Sequence, residues 1–357
     1  MGMNKKVLIV TPSLTVGGLG SYSMKIYNAL LKEGLTVELC DLGTKKYVVL
    51  HTFLNDLNCL FKKKEDFDMV MYIGSIPYPS SFFFKLLGKK IVVVVNGYFY
   101  YEVFNEIKRS IKLKKIRRIL ISLLNLLLFE IGKKYVDVYV YPCYGAREAV
   151  RTGRRSHVVP LWIDESEQKL EIRDSTSYDL VRVITYTSYV YSPKILPIEA
   201  IIKIFKIVEN KINKNFELTI IDPRLTGEKH RIKDLTLRRG KVILLSSLPR
   251  DRFLSLLSHS HLYFDPIIDD EFRYSTLEAM ALGVPIAKLV HSKYIDKLEF
   301  RYELISDSIG ALIKNIVNYI ENLEDLYPKY SQFMKSFVQS QRTWKAVKHK
   351  LLSALYD

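Results

Sequence analysis

Cysteine is nearly absent from the 357 residues, confined to Cys40, Cys59 and Cys143. Three scattered thiols exclude a disulfide framework or a cysteine-built zinc site, and they predict a reducing, cytoplasmic setting. Long apolar runs are missing as well. The longest, Ile119 to Phe129, is interrupted by Ser122 and Asn125 and falls short of the roughly 18 residues that a spanning helix needs. The start, Met1-Gly2-Met3-Asn4-Lys5-Lys6, leads straight into an apolar strand, so no signal peptide is expected. Lys6 stands where a myristoylation signal requires Ser or Thr. Glutamine occurs only at Gln168, Gln332, Gln339 and Gln341, which with abundant Lys, Ile and Tyr points to a thermophile. Acids are in deficit: 38 Asp and Glu against 54 Lys and Arg leave a net charge of +16. Such a balance favours acidic partners, whether nucleotides, nucleic acid or an anionic membrane. No aromatic-basic interleave or helix-turn-helix signal supports nucleic acid.

The remaining composition, 48% hydrophobic and 26% charged, is globular and sufficient for two domains. Val7 to Thr11 is continuously apolar before its last residue, as a strand covered on both faces must be. A loop bearing Gly17, Gly18 and Gly20 follows, then a helix predicted from Ser21 to Lys32 and ended by Gly34. Further strands are expected at Val37–Cys40, Met69–Ile73, Ile91–Val95 and Val136–Tyr141. A polar, acidic linker runs from Ile163 to Tyr178. A second block places strands at Val181–Thr185, Leu218–Ile221, Val242–Leu245 and Leu262–Phe264. Alternation of strands and helices implies α/β architecture with parallel, doubly wound sheets, whose ligands bind beyond the carboxyl ends of the strands.

The most informative stretch is Asp269-Asp-Glu-Phe-Arg-Tyr-Ser-Thr-Leu-Glu-Ala-Met-Ala-Leu-Gly-Val-Pro-Ile286. It is an acidic loop that opens a helix at Ser275. The N–H groups of Arg273, Tyr274 and Ser275, with the helix dipole, would form an anion site suited to a diphosphate. Glu278, one turn in, could accept from ribose hydroxyls, and Asp270 could meet hexose hydroxyls. The bland alternative is a capping box of Ser275 and Glu278. Capping alone requires neither the acids at 269 to 271 nor the Gly283–Pro285 ending.

This stretch resembles the donor signature of retaining GT-B glycosyltransferases, specifically glycosyltransferase family 4. That family carries two glutamates separated by seven residues before Ala-Met-Ala-x-Gly-x-Pro; here Asp270 takes the first place and Glu278 the second. The resemblance extends to Gly17-Gly-Leu-Gly20, to Pro160-Leu-Trp-Ile-Asp164, to Ser188–Ala200 with Lys194, and to the Thr343-Trp344…Leu351-Leu352 ending. It implies two Rossmann-like domains facing across a cleft, an acceptor domain over 1–165 and a donor domain over 166–335. A last helix, 336–357, would pack back on the first. It implies transfer of a sugar, with retention and without a metal, from a UDP- or GDP-sugar to a glycan, lipid-linked or protein-linked acceptor. Asp270, Lys194 and Asn96 would be catalytic. Glu278, Arg273, Tyr274, Ser275, Phe272, Glu271, Gly17, Gly18 and Tyr189 would bind the donor. The chain departs from the family at Asn96-Gly97, where His-Gly is common, and at Tyr189, where an arginine is expected.

The residues also support other readings. Asn96-Gly97 is a strong turn dipeptide. Tyr98-Phe-Tyr-Tyr101 suits sugar stacking or interdomain packing. Asp66-Phe-Asp68 reads as a strand entry, and His259 and His261 as structural. Lys108, Lys112, Lys115, Arg118, Ser122 and Asn125 form a polar stripe on a basic helix over 107–129, with Ile111, Ile116, Leu120, Leu123, Leu124 and Leu127 opposite. Such a helix suits either a solvated domain surface or peripheral contact with an anionic membrane. Two further functions stay open: a DNA-modifying glucosyltransferase, and a non-catalytic nucleotide- or glycan-binding relative.

Overall fold

The computed structural model describes residues 5–12, 14, 17–43, 58, 67–74, 80–95, 99–150, 152–164, 178–187, 195–222, 237–238, 240–246 and 248–357. The chain divides into two compact units, Met1–Pro160 with Val347–Asp357, and Leu161–Ala346.

Unit 1 holds β1 (Lys6–Thr11), α1 (Gly17–Lys32), β2 (Thr36–Asp41), β3 (Met69–Ile73), α2 (Ser80–Leu86) and β4 (Lys90–Val94). It continues through α3 (Phe99–Lys112), α4 (Ile116–Gly132), β5 (Val138–Tyr141), α5 (Tyr144–Val150) and β6 (Ser156–Val158). The strands form one parallel sheet in the order β2-β1-β3-β4-β5-β6. β3 and β5 are buried along their whole length, which explains their unbroken apolar sequences. Leu8, Val10, Val70, Tyr72 and Val93 meet Phe84, Phe129 and Val136 in one core.

Three local expectations change here. Gly17 and Gly18 lie in the first turn of α1, not in a loop before it. The basic segment 107–129 is not one helix but parts of α3 and α4, separated where Lys114 takes a left-handed φ of 51°. Others hold. Gly34, with φ 81°, closes α1, the left-handed conformation being one glycine adopts without steric cost. Asp68 accepts the Lys6 N–H at 2.9 Å as a strand entry would. Cys143 is a buried thiol whose Sγ accepts the Ala146 N–H at 3.3 Å, whereas Cys40 is disulfide-bonded, contrary to the expectation of reduced thiols.

Unit 2 holds β7 (Leu180–Tyr186), α6 (Ile198–Glu209), β8 (Asn215–Ile221), β9 (Lys241–Leu245), α7 (Arg250–Ser258), β10 (Leu262–Asp265) and α8 (Tyr274–Ala281). Then come β11 (Ile286–Leu289), α9 (Ser292–Ile295), β12 (Ile305–Ser306), α10 (Ile309–Glu321), α11 (Leu323–Gln341) and α12 (Trp344–Tyr356). Its parallel sheet runs β12-β11-β10-β7-β8-β9. Counted within the unit, that is the Rossmann order with its reversal between β7 and β10. The core joins Val181, Val183, Leu218, Ile220 and Phe264 to Ile201, Phe205, Ile316 and Tyr319 of the flanking helices. From Val347 onward α12 belongs to unit 1, where Lys90 Nζ donates to Leu355 O at 2.9 Å and Lys348 Nζ to Glu33 Oε1 at 3.2 Å.

Candidate functional site

In a doubly wound sheet, side chains and amides converge where the strand order reverses, beyond the carboxyl ends of the strands. In unit 2 this is the end of β7 and β10. At the end of β7 the buried hydroxyls of Thr185 and Thr187, two residues apart and so on one side of the chain, have no hydrogen-bond partner among the described residues. Buried hydroxyls rarely remain unpaired, and a bound polar molecule is one partner that such a position can take.

The acidic loop leaves β10 and is held from beneath by one ammonium group. Lys288, 0% exposed on β11, donates to Asp265 Oδ2 at 2.9 Å, Ile267 O at 2.7 Å and Glu271 O at 3.1 Å. Both ends of the loop are thereby tied to one point. Asp265 Oδ1 accepts the Ile267 N–H at 3.0 Å, and Asp269 Oδ1 the Glu271 N–H at 2.9 Å. The middle is anchored by Leu196 N–H to Pro266 O at 2.8 Å and His291 N–H to Ile268 O at 2.7 Å. Phe272 is buried, stacked on Phe300 at 5.2 Å, with the Arg342 guanidinium 5.4 Å from its ring centre. Asp269, Asp270 and Glu271 are buried as well.

Helix α8 starts at Tyr274, one residue earlier than expected, with Arg273 at its N-cap and no side-chain cap. Its first hydrogen bond runs from the Leu277 N–H to Arg273 O at 2.8 Å, so the amides of Arg273 to Thr276 point out of the helix tip. Ser275 therefore lies within the first turn and is not the cap of a capping box. Its Oγ accepts from Tyr263 OH at 2.9 Å. Burial, and secondly Asp265, push the Tyr263 phenol well above its ordinary range, which keeps it a neutral donor. Glu278 is held from a different helix: Arg250 of α7 donates to its Oε1 from Nε at 3.1 Å and from Nη2 at 2.8 Å.

The fold thus gathers Asp270, Glu271, Phe272, Arg273, Tyr274, Ser275 and Glu278 on one loop and helix start. Gly17 and Gly18 belong to unit 1. Asn96, Tyr189 and Lys194 lie outside the described residues. Sequence inspection missed Arg250, Lys288, Thr185 and Thr187. Arg250 had a signal: it follows Pro249 at a helix start, where a cation gains nothing from the dipole. Lys288 had a weaker one, as a lone charge inside the apolar strand Ile286–Leu289.

No family model and no curated protein matches the chain. Solved structures do match. Sucrose-phosphate synthase (tll1590) from Thermosynechococcus elongatus aligns at 12% identity and a TM-score of 0.65, over 99% of this chain and 98% of that one. Anabaena Alr3699/HepE, in complex with UDP and glucose, aligns at 14% and 0.60 over 99% and 100%. UDP-GlcNAc 2-epimerase from Neisseria meningitidis, bound to UDP-GlcNAc, aligns at 15% and 0.51 over 99% and 100%. At such identities the likeness defines the fold: two Rossmann-like units of the GT-B type, the fold of GT-B glycosyltransferases.

Proposed function

We propose that the chain is a glycosyltransferase that takes a sugar from a UDP- or GDP-sugar bound on unit 2. Acceptors of the glycan, lipid-linked or protein-linked classes fit this reading. The observation that carries it is the start of α8: outward amides at Arg273–Thr276 beside the strand-order reversal, with Glu278 one turn further and positioned by Arg250. A helix tip of this kind favours a diphosphate. Glu278 would accept from the ribose hydroxyls, and Asp270 would orient the hexose.

The chemistry follows from charge. As the bond between the anomeric carbon and the diphosphate oxygen breaks, negative charge grows on the leaving oxygen. Fixed amides, the helix dipole and the guanidinium of Arg273 would stabilise that charge without reorganising. Lys194 would add a second cation. The proposal includes retention of configuration and independence from metal ions, so turnover should persist in EDTA.

Titration of UDP, GDP and their sugars by calorimetry tests the donor site. A hydrogen bond to a carboxylate contributes about 1.5–3 kcal/mol, so Glu278→Ala should weaken nucleotide binding about ten- to a hundredfold. Absence of binding across the whole panel rejects the site. The fold shared with an epimerase gives a second reading, rearrangement of the donor sugar itself. Conversion of a UDP-sugar to its epimer with no acceptor present would establish that reading instead.

A further inference from the structure

We propose that the α3–α4 hairpin of unit 1 is a docking surface for an anionic lipid membrane. A helix that folds onto its own domain buries its apolar stripe; α4 buries Phe129 and part of Leu126 but leaves a second apolar stripe outside. Ile116, Leu120, Leu123, Leu124, Leu127 and Ile131 are all exposed, with Ile116 at 71%, Leu120 at 61% and Leu127 at 56%. At 3.6 residues per turn these six positions fall within an arc of about 100°. The opposite face carries Ser122, Phe129 and Gly132, which are buried. The domain is therefore contacted through Ser122, Leu126, Phe129 and Gly132, and Leu120, Leu123, Leu124 and Leu127 are left outside.

Charge selects the occupant. Exposed Lys108, Lys112, Lys114, Lys115, Arg117 and Arg118 cluster at the turn between the two helices, at the amino end of the apolar stripe. Glu106, paired with Arg118 at 3.5 Å, offsets one of them. A second copy of the chain would bring like charge against like charge. A lipid surface with anionic headgroups over acyl chains satisfies both features at once. Among the described residues no helix is long and apolar enough to cross a membrane, so α4 would lie in the interface. The exposed stripe and its adjoining cations stand independently of the donor site.

Flotation of the full chain with vesicles tests this, with no donor or acceptor present. Binding is expected to vesicles of phosphatidylcholine with phosphatidylglycerol, weaker in high salt, and absent or slight with phosphatidylcholine alone. Leu120→Ser and Leu127→Ser should each lower the partition coefficient about tenfold or more, the loss expected for one buried leucine. Lys112→Glu and Lys115→Glu should each lower it at least about fivefold. Because these side chains are exposed, circular dichroism and Tm should be unchanged, which separates lost docking from lost folding. Failure to bind anionic vesicles overturns the proposal, as does binding indifferent to all four substitutions. A dimer in sedimentation that Leu120→Ser dissolves, or salt-sensitive binding of duplex DNA without vesicle binding, overturns it in favour of those partners.

Discussion

Lys288 shows how one side chain can set the shape of a candidate site without reaching its ligand. A buried ammonium is costly unless it is fully paired. Here Asp265, Ile267 O and Glu271 O take its three protons, and the Phe272 ring lies 5.5 Å away. The loop between β10 and α8 cannot shift without breaking those bonds. Lys288→Met removes the cation and strands the Asp265 carboxylate in the core. It should cost about 3–5 kcal/mol in urea unfolding, since removing one partner of a buried pair leaves an uncompensated charge. A loss below about 1 kcal/mol would mean that the loop is held by its other hydrogen bonds. Arg250 acts at the same scale. It is half exposed and directs Glu278 from a neighbouring helix, which neither residue reveals by its own sequence context.

At the scale of elements, His261 fastens three of them together. Its Nδ1 accepts the Arg182 N–H of β7 at 3.0 Å, its own N–H donates to Arg182 O at 2.8 Å, and its carbonyl accepts from Tyr319 OH of α10 at 2.6 Å. The ring lies between Tyr178 and Tyr327, 5.8 and 5.9 Å away. Burial first, then Arg182 and Lys214, lower its pKa from 6.5 to about 4. The folded state thus binds fewer protons than the unfolded state between those values. Stability is fully present above about pH 6.5 and is lost as pH falls toward about 4, by up to about 3 kcal/mol. Denaturation midpoints across that range should show the slope for the wild type and a flatter one for His261→Phe. Equal slopes would place the acid sensitivity elsewhere. The pair His259 and His261 gave no metal spacing in sequence, and the structural role expected for His261 is the one observed.

For the whole molecule, chain order and compact unit do not coincide. The last helix follows unit 2 in sequence, yet from Val347 it completes unit 1, where Val347, Leu351, Ala354 and Leu355 are buried. Leu351→Ala should therefore destabilise unit 1 by about 2–5 kcal/mol, the range for a buried leucine. Nucleotide binding on unit 2 should be spared. Two unfolding transitions, with only one displaced, would verify this; a shift of both would mean that the units unfold together.

Most strands were legible in sequence because parallel strands covered on both faces must be apolar throughout. β3 was placed at its observed limits, and β7, β8, β9 and β10 to within a few residues. Helix starts were less legible: α1 begins at Gly17 and α8 at Tyr274, since a first turn is fixed by backbone angles that many residue types allow. The loop 269–273 and Glu278 could be found because acids, a helix start and a Gly-Pro ending are adjacent in the chain. Arg250 and Lys288 left only slight signals, because their partners lie across strands and helices distant in sequence, and Thr185 and Thr187 left none, because their burial at the strand-order reversal is set by the fold. The exposed leucines of α4 belong to the same class. Hydrophobic period alone makes that helix amphipathic; which face meets the domain depends on what the rest of unit 1 leaves uncovered. Sequence by itself determined the alternating α/β order and the acid-bearing helix tip, both products of local pattern. Tertiary structure decided the strand order, the pairing of Glu278 with Arg250 and the outward leucines, because each arises only when segments far apart in the chain come together.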